Sequence, residues 1–545
     1  MIQQLDAGQQ QWVESTLESM TMEECVGHLL CPEDRKYSTE DWRDIMRKVP
    51  LGSVFIHGFD RQEMRAKTAA VQAESRIPVV IAADMENGAV GIKDDATTEF
   101  PYQMGCAAAA DPELMYRMGR ITALESRNCG VHWTFSPVAD LNLNFRNLVT
   151  NIRSLGDNPD KTIPLLRRLI AGLQHDGLMA ATAKHFPGDG VDERDQHLCT
   201  SVNSLPVDQW FELYGRVWQA AIDAGVMSIM AGHIAFPAWQ GLTDDPEAAM
   251  PATLCEKLQI DLLRKKLGFE GVLVSDAAPM IGITSRAPSA EIAWRNIAAG
   301  SDVFLFADPV KDFERLMAAV KSGKLSEERV FESTRRVLEM KARLNLHQHY
   351  SAPELTAEQF AGHAAVAQET ADRGITMLRE RPGLLPLPKG SRILTVTISV
   401  KNHGRPTKDL EVVDAELRKR GFEVEHQFNP GHDLMRENVD KFDRIMINFY
   451  MLNHMNIGRI MMAGEEIMAF WRAFYADNPD KAVFTSFGNP YILYEQPHIN
   501  NLLLTYGPAP AAPRAAVKVW CGELRPQGVC PVAIPRIKVR RFQYD

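Results

Sequence analysis

The chain has 545 residues, 45% of them hydrophobic and 24% charged, so we expect two or more globular domains. Its formal net charge of −10 argues against nucleic acid or an anionic membrane surface as the partner. No apolar run approaches the roughly 18 residues of a membrane span, and the N-terminus lacks the features of a secretory signal, so we expect a cytoplasmic protein.

The first 350 residues alternate short apolar runs with helix-length segments. Residues 9–30 have the pattern of one or two amphipathic helices, and seven apolar runs follow at 53–57, 79–84, 133–140, 178–185, 226–233, 271–276 and 301–306. Runs without alternating polarity, separated by helical segments, predict a parallel sheet covered by helices. Because a (β/α)8 barrel typically takes about 250 residues plus insertions, we predict an α/β fold with a TIM-like (β/α)8 catalytic barrel over residues 1–350.

A second domain is expected beyond a Pro- and Gly-rich stretch at 381–390. Residues 351–390 are predicted to form a linker that contains a helix. Strands are predicted at 393–400, 444–450, 482–487 and 501–506, with helices near 407–420 and 464–476 and a basic, extended tail over 531–545. Residues 391–545 are therefore expected to form a smaller α/β sandwich domain.

Polar residues end five of the apolar runs of the predicted barrel. They are Asp84, Asp140, His185, His233 and Asp276. In a parallel barrel, the carboxyl ends of all strands converge on one face, where active sites are built. One such residue is readily explained as a satisfied structural group, whereas five in succession favour an active site at this face.

The loop that follows the run at 178–185 concentrates reactive side chains. It starts Lys184-His185-Phe-Pro-Gly-Asp-Gly and continues to Asp195-Gln-His197. Residues two apart in an extended or turning chain can point the same way, so Asp195 can hold and polarise the imidazole of His197. Taken alone, this triplet is a weak signal, because many such triplets lie on protein surfaces. A buried strand that ends in a polar, Gly-rich loop is nevertheless a common way to present chemistry.

Asp276 ends an apolar strand and is followed by two alanines. Small neighbours suit a nucleophile that a substrate must approach, and the alternative is a carboxylate that caps the next helix. Asp84 is suited to accept hydrogen bonds from ligand hydroxyls, and Arg153 to donate to hydroxyl or carbonyl oxygens, although a surface ion pair is the alternative for Arg153. No phosphate-binding loop, HExxH or GxSxG motif occurs, and the eight cysteines lack paired spacing, so we predict no metal and no organic cofactor.

These motifs resemble those of glycoside hydrolase family 3 over almost the whole chain. The segment Leu263-Arg-Lys-Lys-Leu-Gly-Phe-Glu-Gly-Val-Leu-Val-Ser-Asp276 is similar to the family's nucleophile segment. The loop from Lys184 to His197 resembles that of the β-N-acetylglucosaminidase branch, which uses a His–Asp dyad on a mobile loop as acid/base. The segment Ser486-Phe-Gly-Asn-Pro-Tyr491 resembles the second domain of two-domain members.

The resemblance implies a retaining exo-glycosidase that removes a terminal β-linked N-acetylhexosamine, with GlcNAc as the expected sugar. Asp276 is implied as the nucleophile, and His197, oriented by Asp195, as the acid/base. Four residues are implied to bind the sugar: Asp84, Arg153, Lys184 and His185. A small carbohydrate is the expected partner, without nucleic acid or membrane, and a homodimer is compatible with the sequence.

Several departures from the family pattern leave the sugar and the leaving group open. The segment after Asp84 lacks the usual second glycine and arginine, Gln196 occupies the small-residue position inside the dyad, and Ala277-Ala278 follow the nucleophile. One alternative is a β-N-acetylglucosaminide phosphorylase, because an uncharged acid/base does not repel phosphate; others are a β-glucosidase or another hexosidase. The non-enzyme alternative, a sugar-binding protein without turnover, is disfavoured by the intact nucleophile and dyad.

Overall fold

A computed structural model describes residues 2–56, 58–93, 96–348, 354–399, 406–430, 439–452, 480–497 and 499–534. The chain divides into two compact units. The first comprises Met1–Thr98, Pro112–Thr150 and Asn158–His363, and the second comprises Glu99–Asp111, Asn151–Asp157 and Ala364–Asp545. The predicted limits of 1–350, 351–390 and 391–545 remain predictions.

The first unit is built on a parallel sheet. Its ten described strands are β1 Leu30–Pro32, β2 Ser53–Phe55, β3 Val80–Ala83, β4 Trp133–Thr134, β5 Ala180–Phe186, β6 Ser201–Val202, β7 Ser228–Ala231, β8 Ile234–Ala235, β9 Val272–Ser275 and β10 Phe304–Ala307. A six-stranded sheet has the order β2-β3-β4-β5-β7-β9, while β1 pairs with β10 and β6 with β8, all in parallel. Single parallel bridges, Glu33 to Phe55 and Val274 to Val303, join the β1–β10 pair to β2 and β9. Eight strands thus follow one another as a curled parallel sheet.

The strands of this sheet are apolar because both of their faces are buried. One core cluster contains side chains from several of them, including Phe55 of β2, Val80 of β3, Trp133 of β4 and Val274 of β9. Strand β1, which starts at Leu30, was not predicted, because residues up to 30 have the pattern of helices. Three residues are too few to show a periodic pattern, so this strand emerges only through its pairing with β10.

Helices occupy most of the connections along the chain. As far as residue 374, the described α-helices are α1 Ala7–Ser19, α2 Met22–Gly27, α3 Thr39–Lys48, α4 Arg61–Ala73, α5 Gln103–Ala108, α6 Pro112–Asn128, α7 Pro159–Leu173, α8 Val207–Trp210, α9 Arg216–Asp223, α10 Pro237–Gln240, α11 Ile281–Thr284, α12 Ile292–Ala299, α13 Lys311–Lys321, α14 Glu327–Arg343 and α15 Ala357–Gly374. Phe211–Gly215 and Lys257–Lys266 are π-helical. Capping boxes start α1, α2 and α3, because Asp6, Thr21 and Ser38 each accept a hydrogen bond from a backbone N–H three residues later. None of the helices in the described ranges has the length and apolar character needed to cross a bilayer.

The second unit contains a mixed six-stranded sheet. Its strands are β11 Thr376–Arg379, β12 Arg392–Ser399, β13 Glu423–Phe428, β14 Arg444–Tyr450, β15 Ala482–Ser486 and β16 Leu502–Leu504, in the order β11-β16-β15-β14-β12-β13. β11 is antiparallel to β16 and all other pairs are parallel. Helices α16 Pro406–Lys419, α17 Ile492–Glu495 and α18 Ala511–Trp520 accompany the sheet.

The predicted α/β class and two-domain architecture are confirmed. Strand β14 has the predicted bounds, whereas β11 and β13 were not predicted. The sequence β13 carries, Glu-Val-Glu-His-Gln-Phe, is polar, as suits the edge position that it occupies in the sheet. The helix predicted near 464–476 and most of the predicted tail over 531–545 lie outside the described residues.

Candidate active site

Four strand ends of the first unit carry residues that the sequence analysis selected. Asp84 follows β3, Lys184 and His185 lie near the end of β5, His233 follows β7, and Asp276 follows β9 directly. Since β5, β7 and β9 are neighbours in the parallel sheet, the carboxyl ends of these three strands share one edge. Chemical groups that are far apart in sequence are thereby assembled.

Asp276 has a buried carboxylate, one oxygen of which lacks a hydrogen-bond partner among the described residues. Its backbone N–H donates to the carbonyl of Ala231 at 2.8 Å, and its Oδ1 accepts from the N–H of Ala277 at 2.8 Å. Its Oδ2 is buried and has no hydrogen-bond partner among the described residues. Burial alone raises the pKa of Asp276, but its interactions with the side chains of His185, His233 and His197 and the hydrogen bond from the N–H of Ala277 outweigh burial and lower the pKa below its ordinary value. The carboxylate is therefore ionised at neutral pH, with Oδ2 available to a ligand.

Asp140 orients His185. Its fully buried carboxylate accepts from Nδ1 of His185 at 2.7 Å and from the backbone N–H of His185 at 3.0 and 3.1 Å. The backbone N–H of Asp189 donates to the same carboxylate at 2.7 Å. A carboxylate at Nδ1 holds the proton on that nitrogen, which fixes both the tautomer and the ring orientation. The sequence analysis counted Asp140 among the strand ends but did not assign it this role.

Lys184 is held by two carboxylates. Its ammonium lies 2.6 Å from Oε1 of Glu86 and 3.4 Å from Oδ1 of Asp84. The Lys184 side chain is only 5% exposed, and a buried ammonium requires such acidic neighbours. Asp84, in contrast, keeps 53% of its side chain exposed and so remains accessible. Glu86 was not selected from the sequence, because its pairing with Lys184 depends on strands β3 and β5 coming together.

His197 and Asp195 form the pair that their spacing predicts. Nδ1 of His197 lies 2.6 Å from Oδ1 of Asp195, and the same oxygen accepts from the backbone N–H of His197 at 2.9 Å. The Asp195 side chain is buried, whereas 21% of the His197 side chain is exposed. With Nδ1 engaged by the carboxylate, Nε2 has no hydrogen-bond partner in the described part of the chain. The imidazole can therefore exchange a proton with a ligand through Nε2.

The loop between these groups is closely packed. Gly190 has a φ of +99°, and a Cβ there would collide with the carbonyl oxygen of Leu141, so only glycine is tolerated. Asp189 accepts from Nδ2 of Asn147 and from the N–H of Gly190, each at 2.7 Å. Burial, together with the charge of Asp140, raises the pKa of Asp189 well above its usual range. Asp189 therefore holds a proton more tightly than an exposed aspartate does.

His233 is a structural member of the site. Its Nε2 lies 3.0 Å from the carbonyl oxygen of Ala277, and its Nδ1 lies 2.9 Å from Oγ1 of Thr253. Burial lowers the pKa of His233, so the ring is neutral, donates from Nε2 to the carbonyl and accepts at Nδ1 from the hydroxyl. Because both ring nitrogens are engaged, His233 supports the backbone beside Asp276.

Arg153 is the one selected residue outside the first unit. It ends a short 3-10 turn, Asn151–Arg153, that belongs to the second unit. Its contact with a sugar remains a prediction. Among the residues that the structure describes, no group of three or more His, Cys, Asp or Glu side chains is arranged to hold a metal ion.

A cavity of about 710 Å³ adjoins the loop that carries the dyad. Its walls include residues from both flanks of the dyad, Asp192, Glu193 and Arg194 before it and Cys199 and Thr200 after it. The remaining lining residues are Asn144, Val191, Val202, Ser204, Ala235, Pro246, Glu247, Ala249, Ser285 and Arg286. The lining combines apolar residues with charged residues of both signs.

Comparison with known proteins gives a consistent result. The sequence family described as "Glycosyl hydrolase family 3 N terminal domain" matches residues 21–340. A relative from Cellulomonas fimi named "Beta-N-acetylglucosaminidase/beta-glucosidase" is 34% identical over 96% of this chain and 95% of its own length. "Beta-hexosaminidase A" of Pseudoalteromonas piscicida is 28% identical over 60% of this chain and 58% of its own.

Solved structures with similar folds cover nearly the whole chain. "Beta-glucoside phosphorylase BglX bound to 2FGlc" superposes with a TM-score of 0.88 and 31% identity over 97% of both chains. A glycoside hydrolase family 3 β-N-acetylglucosaminidase from Paenibacillus sp. str. FPU-7 has a TM-score of 0.84 and 25% identity, covering 95% of this chain and 99% of its own.

Proposed function

Because the chain belongs to glycoside hydrolase family 3, we propose that it is a retaining exo-glycosidase with a TIM-like catalytic barrel. The enzyme releases a terminal β-linked N-acetylhexosamine, and the expected sugar is GlcNAc. The observation that carries this proposal is the ionised Asp276, whose Oδ2 is buried without a hydrogen-bond partner among the described residues. An unprotonated carboxylate oxygen that no protein group occupies is what a nucleophile requires.

In the first step, Oδ2 of Asp276 attacks the anomeric carbon while the bond to the leaving oxygen breaks. His197 donates the Nε2 proton to that oxygen, and Asp195 stabilises the imidazolium that exists before the transfer. In the second step, the now neutral imidazole takes a proton from water, and the resulting hydroxide equivalent displaces Asp276 from the sugar. Two displacements at the same carbon retain the anomeric configuration.

Four residues are proposed to bind the sugar in this step: Asp84, Arg153, Lys184 and His185. Support for Asp84 comes from its exposed carboxylate, which can accept two hydroxyl hydrogen bonds. Support for His185 comes from its electrostatic interaction with Asp276, which requires proximity to the reacting carbon. Lys184 contributes by fixing the orientation of Asp84 through their ion pair.

Phosphorolysis is the second candidate. Once it has given up its proton, the imidazole of His197 is neutral, whereas a glutamate in that role would be an anion and would repel phosphate. Phosphate would then replace water in the second step and leave as a sugar 1-phosphate. The similarity to "Beta-glucoside phosphorylase BglX", at 31% identity over 97% of the chain, favours keeping this candidate.

One experiment tests both candidates. Release of 4-nitrophenol is measured from the β-N-acetylglucosaminide and the β-glucoside, with and without inorganic phosphate, and the sugar product is identified. Release of free GlcNAc is the expected result. If sugar 1-phosphate is the product when phosphate is present, the reaction is phosphorolysis and not hydrolysis. If the enzyme prefers the β-glucoside, its substrate is a glucoside and not an N-acetylglucosaminide. Folded protein that acts on neither glycoside would overturn the proposal.

A further inference from the structure

The side chain of Gln196 joins the dyad loop to the nucleophile side of the site. Gln196 lies between Asp195 and His197 in sequence and is only 1% exposed. Its Oε1 accepts from the backbone N–H of His233 at 2.8 Å, and its Nε2 lies 3.4 Å from Oδ2 of Asp189. His233 in turn donates to the carbonyl of the residue after Asp276. A short chain of bonds therefore connects the acid/base to the strand end that carries the nucleophile.

Backbone hydrogen bonds between the dyad loop and residues 281–282 reinforce this connection. The N–H of Ile281 donates to the carbonyl of His197 at 3.1 Å, and the N–H of Gly282 donates to the carbonyl of Gln196 at 3.2 Å. Oγ1 of Thr200 returns a hydrogen bond to the carbonyl of Gly282 at 2.8 Å. Residues 281 and 282 lie a few residues beyond Asp276, at the start of α11. The loop that carries the acid/base is thus bonded to the segment that follows the nucleophile.

Gly282 permits this close approach. A Cβ at position 282 would lie 2.5 Å from the carbonyl oxygen of Gln196, 2.8 Å from Cβ of His233 and 3.0 Å from the carbonyl oxygen of Cys199. Two of these neighbours are backbone atoms, which cannot move aside by a simple rotation. Any larger side chain at 282 must therefore displace the dyad loop.

We propose that Gln196 and Gly282 are positioning residues that hold His197 at a set distance from Asp276 before substrate binds. The inference rests on the proposed acid/base role of His197. Proton transfer to a leaving oxygen demands a defined distance, and a misplacement of 1 Å can lower the rate about 100-fold. Hydrogen bonds that join the centre of the dyad loop to the segment that follows the nucleophile hold that distance.

The first test replaces Gln196 by methionine, which has a similar volume but makes neither hydrogen bond. The readout is the ratio of kcat/KM for the 4-nitrophenyl and the unsubstituted phenyl glycoside, since only the poorer phenol leaving group needs the proton. We expect Q196M to lower kcat/KM about 100-fold for the phenyl glycoside and less than about 5-fold for the nitrophenyl glycoside. Loss of folded enzyme lowers both values by one factor and leaves the ratio unchanged.

Gln174 provides the matched control. Its side-chain amide also bridges backbone groups, accepting from Met227 N–H at 2.9 Å and donating to the carbonyl of Gly225 at 2.9 Å. These bonds lie at the opposite, N-terminal end of strand β7. Q174M therefore carries the same chemical change away from the dyad, and we expect it to leave the ratio of the two kcat/KM values unchanged.

A second pair of variants covers the case in which Q196M fails to fold. G282A displaces the loop without adding a polar group, whereas Gly362 has nothing within 4 Å of its Cβ position and an ordinary helical φ, so G362A is its control. We expect G282A to shift the ratio in the same direction as Q196M and G362A to leave it unchanged.

The outcomes separate this inference from the proposed function. Wild-type enzyme that acts on the glycosides while Q196M and G282A keep the wild-type ratio would overturn the positioning role alone. Wild-type protein without activity on either glycoside would overturn the proposed function itself. A shift of the ratio that also appears in Q174M and G362A would show that the ratio does not depend on the contacts of the dyad loop, which likewise contradicts the inference.

Discussion

The carboxylate of Asp140 lies 2.7 Å from Nδ1 of His185 and also accepts the backbone N–H of that residue. The pair therefore fixes the ring of a histidine that interacts electrostatically with Asp276. His185 is presented by β5 and Asp140 by the segment after β4, so two neighbouring strands must pair before the ring is oriented. The orientation of this ring and the pairing of β4 with β5 are linked at this point.

Replacing Asp140 by asparagine should damage both stability and activity. The amide presents one oxygen and one N–H₂ group to three N–H donors, so one buried donor loses its partner and His185 must change tautomer. We expect D140N to lower the free energy of unfolding by about 1–3 kcal/mol and kcat/KM by about 10-fold or more. Urea unfolding and hydrolysis of a nitrophenyl glycoside measure the two effects. An unchanged kcat/KM would contradict the orienting role of Asp140.

Removal of the nucleophile should abolish turnover. In the proposed mechanism no glycosyl-enzyme can form without the carboxylate of Asp276, and we expect D276A to lower kcat by at least about 1,000-fold. Nitrophenol release measures the loss, and thermal unfolding checks that the variant is folded. Residual activity near the wild-type level in a folded variant would assign the nucleophile to another residue.

Removal of the acid/base should depend on the leaving group. In the proposed mechanism His197 supplies a proton that phenol needs and 4-nitrophenol does not, so H197A should lower kcat/KM about 100- to 10,000-fold for the phenyl glycoside only. The two glycosides are compared side by side at saturating and limiting concentrations. If both lost activity by one factor, the acid role of His197 would be wrong.

Lys341 should make stability depend on pH. Lys341 lies on α14 with its side chain fully buried, and its Nζ donates a hydrogen bond to Nε2 of His28 at 2.8 Å. Burial lowers the pKa of Lys341 well below its ordinary value. Between the folded pKa and the unfolded value of about 10.4, the unfolded chain binds one proton more, so stability rises with pH in this window.

Replacing Lys341 by methionine removes this dependence. The free energy of unfolding of the wild type should rise with pH in this window by up to about 1.4 kcal/mol per pH unit, whereas that of K341M should not rise for this reason. The difference in stability between K341M and wild type should therefore change by up to that amount per pH unit. Urea unfolding between about pH 7.5 and 9.5 measures the slope and avoids the titration of His28, whose pKa burial also lowers. The exposed Lys321 is the control, and K321M should follow the wild-type slope. Parallel curves for K341M and wild type would show that Lys341 is charged in the fold.

Much of the architecture was accessible from the sequence. Apolar runs located seven strands of the first unit, and β14 was predicted at its observed bounds. The resemblance to glycoside hydrolase family 3 is confirmed by the family match and the relative from Cellulomonas fimi. Local patterns succeed here because strand polarity and motif spacing are properties of short segments.

Partnerships across strands were not accessible in the same way. The pairing of Glu86 with Lys184 joins residues 98 positions apart, and nothing near either residue indicates its partner. Gln196 was noted only as an unusual residue inside the dyad, since its bond to the His233 backbone requires β7 to lie beside the loop. His233 was read as one more reactive strand end, whereas both of its ring nitrogens are engaged by protein groups.

The residues of the dyad loop fall into two groups, those that line the neighbouring cavity and those that hold the loop in place. Asp192, Arg194, Cys199 and Thr200 form part of the cavity wall, while Gln196 in the middle is bonded to the nucleophile's strand end. Substitutions in the wall should therefore change which molecules are accommodated without moving the reactive pair. Such a division lets descendants of one enzyme acquire new specificities while the chemistry stays intact, and it marks the flanks of the loop as the place to redesign this protein.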